Sequence, residues 1–200
     1  MCKYITPIKT DTKFVILMHP KEFKKVKNNT GFFTHLSLSN SEVFIGIDFS
    51  EHRRINEIIA THESYILFPS EDALNLSDTK SVEILREKPM AIFLIDSTWS
   101  CTKKIFTLSS NLNTLKHMSF QTSRLSEYAI KEQPKSHYLS TIESTLVVLE
   151  LLAKRGIENV TQKEFDLFLT PFYKMIEYQQ SLISDTSSNY IRDIQKRERG

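Results

Sequence analysis

The sequence predicts an α/β protein: a mostly parallel sheet flanked by helices, with a helical C-terminal part. Three observations carry this. Short apolar runs without polar alternation, such as Phe14–Met18 and Met90–Ile95, suit strands covered on both faces. Segments with helical spacing lie between such runs, as strand–helix–strand connections in a parallel sheet require. Beyond residue 140 the apolar residues recur at helical intervals behind two capping boxes.

In chain order, Phe14–Met18 (FVILM) is a β-rich run ended by His19-Pro20. Glu42–Ile47 is the second strand candidate and Ser64–Phe68, closed by Pro69, the third. Met90–Ile95, closed by Asp96, is the fourth, and a weaker fifth lies around His117–Phe120. Asn29-Thr30-Gly31 reads as a turn, where Gly31 supplies either a positive φ or a close backbone approach to a ligand. Ile55, Ile58 and Ile59 at i, i+3, i+4 predict a helix over Arg53–His62, and Val82 and Leu85 another within Asp78–Glu87. Ser140 and Glu143 form a capping box opening a helix with Ile142, Leu146, Leu149 and Ala153 on one face and Gly156 as its stop. Thr161 and Glu164 form the second, ahead of the stripe Phe165, Phe168, Leu169, Phe172 and Ile176, which is core or interface. Pro171 inside that stripe predicts a kink or break. Residues 1–185 read as one domain and 186–200 as a polar tail, either frayed or a short surface helix.

Composition narrows the function. With 200 residues, 40% hydrophobic and 25% charged, the chain is a soluble globular domain long enough to bury a core without metal or disulfide staples. Its longest apolar run is six residues, Met90–Ile95, far below the roughly 18–20 that span a bilayer. Phe14–Met18 is too short for a signal-peptide core, and two cysteines, Cys2 and Cys101, make no disulfide framework. A cytoplasmic location and no membrane association are expected. Four scattered glycines exclude a P-loop and a dinucleotide fingerprint. No serine sits in a glycine-flanked nucleophile elbow, and no cysteines or histidines have metal-ligand spacing.

Charge is segregated along the chain. Residues 1–27 hold seven lysines against two acids, residues 42–83 nine acids against three bases, and residues 84–135 eight bases against four acids. Folding could gather Lys21, Lys24, Lys25, Lys27, Lys103, Lys104, Arg124, Lys131 and Lys135 into a phosphate-facing patch; the plainer alternative is solvated loop and helix faces. Three polar constellations follow three strand candidates: His19-Pro20-Lys21-Glu22, Pro69-Ser70-Glu71-Asp72 and Asp96-Ser97-Thr98-Trp99. Parallel strands would bring them to one sheet edge, where α/β ligands bind. Asp96 either receives a ligand proton or hydrogen bond, or caps the helix beginning near Trp99. Trp99, the only tryptophan, is either a core anchor or a ring that stacks on a ligand. His19 is an acid–base candidate or a structural residue ahead of proline.

Four stretches then carry a resemblance: Met18–Phe33 (MHPKEFKKVKNNTGFF), Leu67–Ala73 (LFPSEDA), Ile95–Ile105 (IDSTWSCTKKI) and Tyr128–Ser144 (YAIKEQPKSHYLSTIES). In this order they resemble the DTW-domain family of tRNA-uridine aminocarboxypropyltransferases, with Asp96, Thr98 and Trp99 as the D-x-T-W signature. The resemblance spans residues 14–153, about two-thirds of the chain. It implies a SPOUT-like domain with a knotted cofactor-binding region. The implied reaction moves the 3-amino-3-carboxypropyl group of S-adenosylmethionine to N3 of a tRNA uridine, releasing methylthioadenosine. Asp96, Thr98 and Trp99 are the implied catalytic residues. Thr30, Gly31, Leu67, Phe68, Pro69, Glu71, Ala73, Leu139, Ser140, Thr141 and Glu143 join them around the cofactor. His19, Lys21, Lys24, Lys25, Lys103, Lys104 and Lys131 would serve the tRNA, and no obligate protein partner is implied.

Two departures from the family pattern stand out. Only Cys2 remains of a cysteine cluster that looks zinc-binding in relatives, so no metal is expected in this chain; zinc would require a cluster ahead of it. Lys131 stands where arginine is more usual, which keeps the charge and removes the bidentate fork. The alternatives are a SPOUT-type RNA methyltransferase and a non-catalytic RNA-binding module.

Overall fold

The computed structural model describes residues 2–25, 29–78, 87–127 and 139–197. Six strands form one sheet: β1 (Lys13–Met18), β2 (Ser41–Ile45), β3 (Glu63–Leu67), β4 (Leu74–Asn75), β5 (Met90–Asp96) and β6 (Lys116–Ser119). Their order is β2-β1-β5-β3-β6-β4, and every pairing is parallel. The α/β expectation therefore holds. The helices are α1 (Pro20–Lys25), α2 (Thr30–Leu36), α3 (Arg53–Thr61), α4 (Trp99–Leu108), α5 (Thr141–Lys154) and α6 (Gln162–Arg197).

The continuous apolar runs are explained by helices on both faces of the sheet. Side chains alternate along a strand, so Phe14, Ile16, Ile92 and Leu94 enter one core with Phe33 of α2, Ile142 and Leu149 of α5 and Phe168 and Phe172 of α6. Val15, Leu17, Ala91 and Phe93 enter a second core with Ile55 and Ile58 of α3 and Ile105 of α4. Burying each such side chain contributes about 1.5–3 kcal/mol, which holds β1 and β5 at the centre. The stripe Phe165, Phe168, Leu169, Phe172 and Ile176 is buried throughout, so it is core rather than interface.

Both capping boxes form. The Ser140 N–H donates to Glu143 Oε2 at 2.8 Å, and the Thr161 N–H does the same to Glu164 Oε2 at 2.8 Å. Gly156 adopts φ 67°, the one positive-φ glycine among the described residues, and its N–H returns to the Ala153 carbonyl at 3.0 Å.

Three expectations change. Asn29-Thr30-Gly31 is not a turn: Asn29 is the N-cap of α2, its Oδ1 accepting from the Phe32 N–H at 3.1 Å, and Gly31 lies in the first helical turn. Pro171 does not break α6, which runs through it between the buried Phe168 and Phe172. The same helix continues to Arg197, so the stretch expected as a frayed tail or a short surface helix is the end of α6 instead. The two-residue β4 was not anticipated, being too short for any periodicity. The helix expected within Asp78–Glu87 falls largely on residues outside those described. Among the described residues, no helix is long and apolar enough to cross a membrane.

Candidate functional site

Register brings the polar constellations together. Met18 of β1 pairs with Asp96 of β5, Ile66 of β3 with Phe93, and Leu67 with Met118 of β6. Strands β1, β5, β3 and β6 thus end at one edge, where a cleft of about 920 Å³ opens. Leu94, Ile95 and Asp96 close it from β5, and Leu67, Phe68 and Pro69 from β3. Ser97 to Ser100 and Thr102 come from the start of α4, and Met118 to Thr122 from the end of β6 and beyond. Leu139, Ser140, Thr141 and Ser144 come from the start of α5, with Thr30 and Glu22 at the side.

Asp96 is 8% exposed, and its Oδ1 accepts the Thr141 hydroxyl at 2.8 Å. It does not cap α4: Thr98 is the N-cap, with no side-chain capping bond, and its carbonyl accepts the Thr102 N–H at 2.8 Å. On its other side the carboxylate lies against Gly31, where a Cβ would meet Asp96 Oδ2 at 2.5 Å. Gly31 is therefore present for close approach to a side chain of its own chain, which is neither the positive φ nor the approach to a ligand expected of it. A serine or alanine there would displace the Asp96 carboxylate.

Trp99 is not a core anchor. It is 46% exposed on the cleft lip, its indole meeting the Phe68 ring edge-to-face at 5.8 Å. Phe68 in turn rests on Phe106 at 4.9 Å, so a short stack of rings props the indole from behind.

Glu143 is buried beneath the cleft and lies outside its lining. Its Oε1 accepts the Glu127 N–H at 2.8 Å, and its Oε2 accepts the Ser126 hydroxyl at 2.9 Å as well as the Ser140 backbone. One carboxylate thereby ties the α5 N-terminus to the segment after β6, two walls of the cleft. Glu71 and Ala73 also lie outside the lining, beyond the end of β3.

Among the residues expected to face RNA, Lys21, Lys24, Lys103 and Lys104 are exposed. His19 is not: it is 4% exposed, its Nδ1 accepting the Lys21 N–H at 3.1 Å. Burial, assisted by the charges of Lys21 and Lys104 and opposed by Glu22, lowers its pKa. Arg124 is engaged with Glu150 at 2.9 Å. The side chain of Lys25 and all of Lys27, Lys131 and Lys135 lie outside the described residues. Sequence reasoning missed the wall Met118–Thr122, which carries no charged or nucleophilic signature beyond hydroxyls; Glu22 lies in a constellation expected at this edge but was not singled out as a site residue.

Described residues of all four resembling stretches thus line one cleft, and comparison with known proteins agrees with the resemblance: the DTW domain matches residues 1–180. The chain belongs to the DTW-domain family. A Mus musculus protein named tRNA-uridine aminocarboxypropyltransferase 2 is 33% identical over 164 residues, covering 78% of this chain and 53% of that relative. Proteins of the same name from Macaca fascicularis and Drosophila melanogaster are 32% and 29% identical, covering 78% and 74% of this chain. The chain spans a little over half the length of these curated relatives. No solved structure matches it.

Proposed function

We propose that this DTW-family chain transfers the 3-amino-3-carboxypropyl group of S-adenosylmethionine to N3 of a tRNA uridine. The observation that carries the reading is the D-x-T-W carboxylate, Asp96, fixed by Thr141 and Gly31 at the end of a central strand and lining a cleft of about 920 Å³. The names of the relatives support the reaction class. Ligand clefts run to about 300–1,000 Å³, so this one has room for a cofactor and a nucleobase together.

The lining fits S-adenosylmethionine. Leu67, Pro69, Met118 and Leu139 offer apolar walls; Thr98, Ser140 and Ser144 offer hydroxyls; Asp96 and Glu22 offer negative charge to a cationic ligand. When bound, this donor supplies an electrophilic methylene beside its sulfonium. The chain must aim that carbon, rather than the methyl, at N3, a matter of orientation by the cleft walls. Uracil N3–H is a weakly acidic imide, so forming the N3–carbon bond requires its proton to leave. Asp96 Oδ1, beside the Thr141 hydroxyl, accepts it, and the carbon–sulfur bond pair departs with methylthioadenosine. Exposed Lys21, Lys24, Lys103 and Lys104 face the tRNA backbone in this reading, and a knotted SPOUT arrangement and a cytoplasmic setting accompany it.

The test is mass spectrometry of unmodified tRNA incubated with the protein and S-adenosylmethionine. A gain of about 101 Da on a uridine, with methylthioadenosine released, is expected from the aimed transfer. A gain of about 14 Da would mean that the cleft aims the methyl instead, and would overturn the proposal.

A further inference from the structure

Glu143 sits outside the cleft lining, yet it gathers hydrogen bonds from two chain segments that lead into the cleft's walls. Its Oε2 accepts the Ser140 N–H at 2.8 Å, the Ser140 hydroxyl, and the Ser126 hydroxyl at 2.9 Å; its Oε1 accepts the Glu127 N–H at 2.8 Å. A helix cap needs only the first of these. Glu164 shows as much at the start of α6, where it takes the Thr161 N–H and hydroxyl at 2.8 and 2.7 Å in an exposed site away from the cleft lining. Glu143 is 7% exposed, and burying a carboxylate is a penalty that capping alone does not require.

The residue after the cap gives that burial a use. Thr141 is the first residue of α5, and its hydroxyl donates to Asp96 Oδ1 at 2.8 Å. Its carbonyl accepts the hydroxyl of the fully buried Thr145 at 2.7 Å, which holds the same turn from within. Hydroxyl hydrogen bonds span only about 2.5–3.0 Å, so the helix start must neither slide nor tilt against the end of β5. Ser126 and Glu127, bonded through Glu143, brace that start from the side of β6. We infer that Glu143 is a positioning residue: it lies off the cleft surface and holds the α5 N-terminus where Thr141 meets Asp96. The inference rests on the transferase reading for what Asp96 then does.

Glu143→Gln tests this, because glutamine also serves in capping boxes but brings one acceptor oxygen in place of two. Assayed where circular dichroism shows it folded, its kcat for tRNA transfer should fall about 10- to 100-fold, with a smaller change in S-adenosylmethionine affinity. Glu164→Gln, the same change in the other box, should transfer at the wild-type rate. Thr141→Val should lose transfer by a similar factor. Adding Glu143→Gln to it should lower the rate by less than about threefold more, since the two act through one chain of contacts. A second readout needs no substrate. The carboxyl carbon NMR signal of Asp96 in the ligand-free protein should move in Glu143→Gln in the direction that Thr141→Val moves it, and stay in place in Glu164→Gln. Ser126→Ala, which removes one donor and keeps the carboxylate, should move the same signal by less, and it serves where Glu143→Gln is too unstable to study. Wild-type transfer by folded Glu143→Gln, or losses that multiply in the double variant, would overturn the inference. So would an Asp96 signal that responds to Thr141→Val alone. The expected NMR shifts in a protein that transfers nothing would sink the transferase reading and leave the positioning role standing.

Discussion

Two buried carboxylates stand at opposite edges of the sheet, and they are used differently. At the amino edge Glu158, 5% exposed, takes the backbone N–H of Asp11 at 3.0 Å on one oxygen and that of Thr12 at 2.6 Å on the other. It fastens the α5–α6 connection to the chain entering β1, and it lines no part of the cleft. At the carboxyl edge Asp96, 8% exposed, is held by a side-chain hydroxyl and lines the cleft. Burial alone does not distinguish the two. Position does: Glu158 bonds backbone amides away from the cleft, whereas Asp96 lines it, where the proposed transfer would use it.

Changing one member of the pair at a time sharpens this contrast. The largest effect is expected from Asp96→Asn, which keeps an oxygen for Thr141 but removes the charge. Transfer should fall by about 10²–10⁴-fold in the mass-spectrometric assay, the usual contribution of a positioned base, with little change in melting temperature. Next comes Glu158→Ala. It strands the buried Thr12 N–H and the part-buried Asp11 N–H, so denaturant unfolding should show a loss of about 2–4 kcal/mol, with S-adenosylmethionine affinity retained at temperatures where the variant is folded. Gly31→Ala should sit between structure and function. The new methyl meets Asp96 at 2.5 Å, so stability should drop by about 1–3 kcal/mol. Its transfer rate should fall about 10- to 100-fold through displacement of the carboxylate.

The smallest effect belongs to Glu42, away from both edges' carboxylates, bonded to Arg54 at 2.8 Å and Lys13 at 3.0 Å. The Arg54 hydrogen bond, with Lys13, holds its pKa down from the ordinary 4.5 to about 2. A depressed carboxylate pKa stabilises the fold above 4.5, and that contribution is lost as pH falls toward 2. Glu42→Gln should cost about 1 kcal/mol at neutral pH, solvent screening included, and should flatten the stability profile over that acid window.

Much of this was legible in the sequence because local and global signals agreed. Phe14–Met18 and Met90–Ile95 are apolar at every position since both faces are covered, and the capping boxes at Ser140 and Thr161 are local chemistry that survives folding. The failures are equally physical. Asn29-Thr30-Gly31 carries residues shared by turns and N-caps, and only the carboxylate of Asp96, 65 residues away, explains the glycine. Trp99 was as easily a core residue as a surface one, since its exposure depends on where Phe68 and Phe106 come to lie. Glu143 could be read as a cap but not as the tie to Ser126 and Glu127, a contact made across the fold. Long-range pairings of this kind leave no periodic trace.

The most direct measurement pairs Asp96→Asn with Glu158→Ala, recording unfolding free energy and tRNA transfer for each variant under the same conditions. The account predicts a crossed result: Asp96→Asn loses transfer and keeps its stability, while Glu158→Ala loses stability and, while folded, keeps transfer. Parallel losses in both variants, with transfer tracking stability, would contradict it and reduce Asp96 to a second structural anchor.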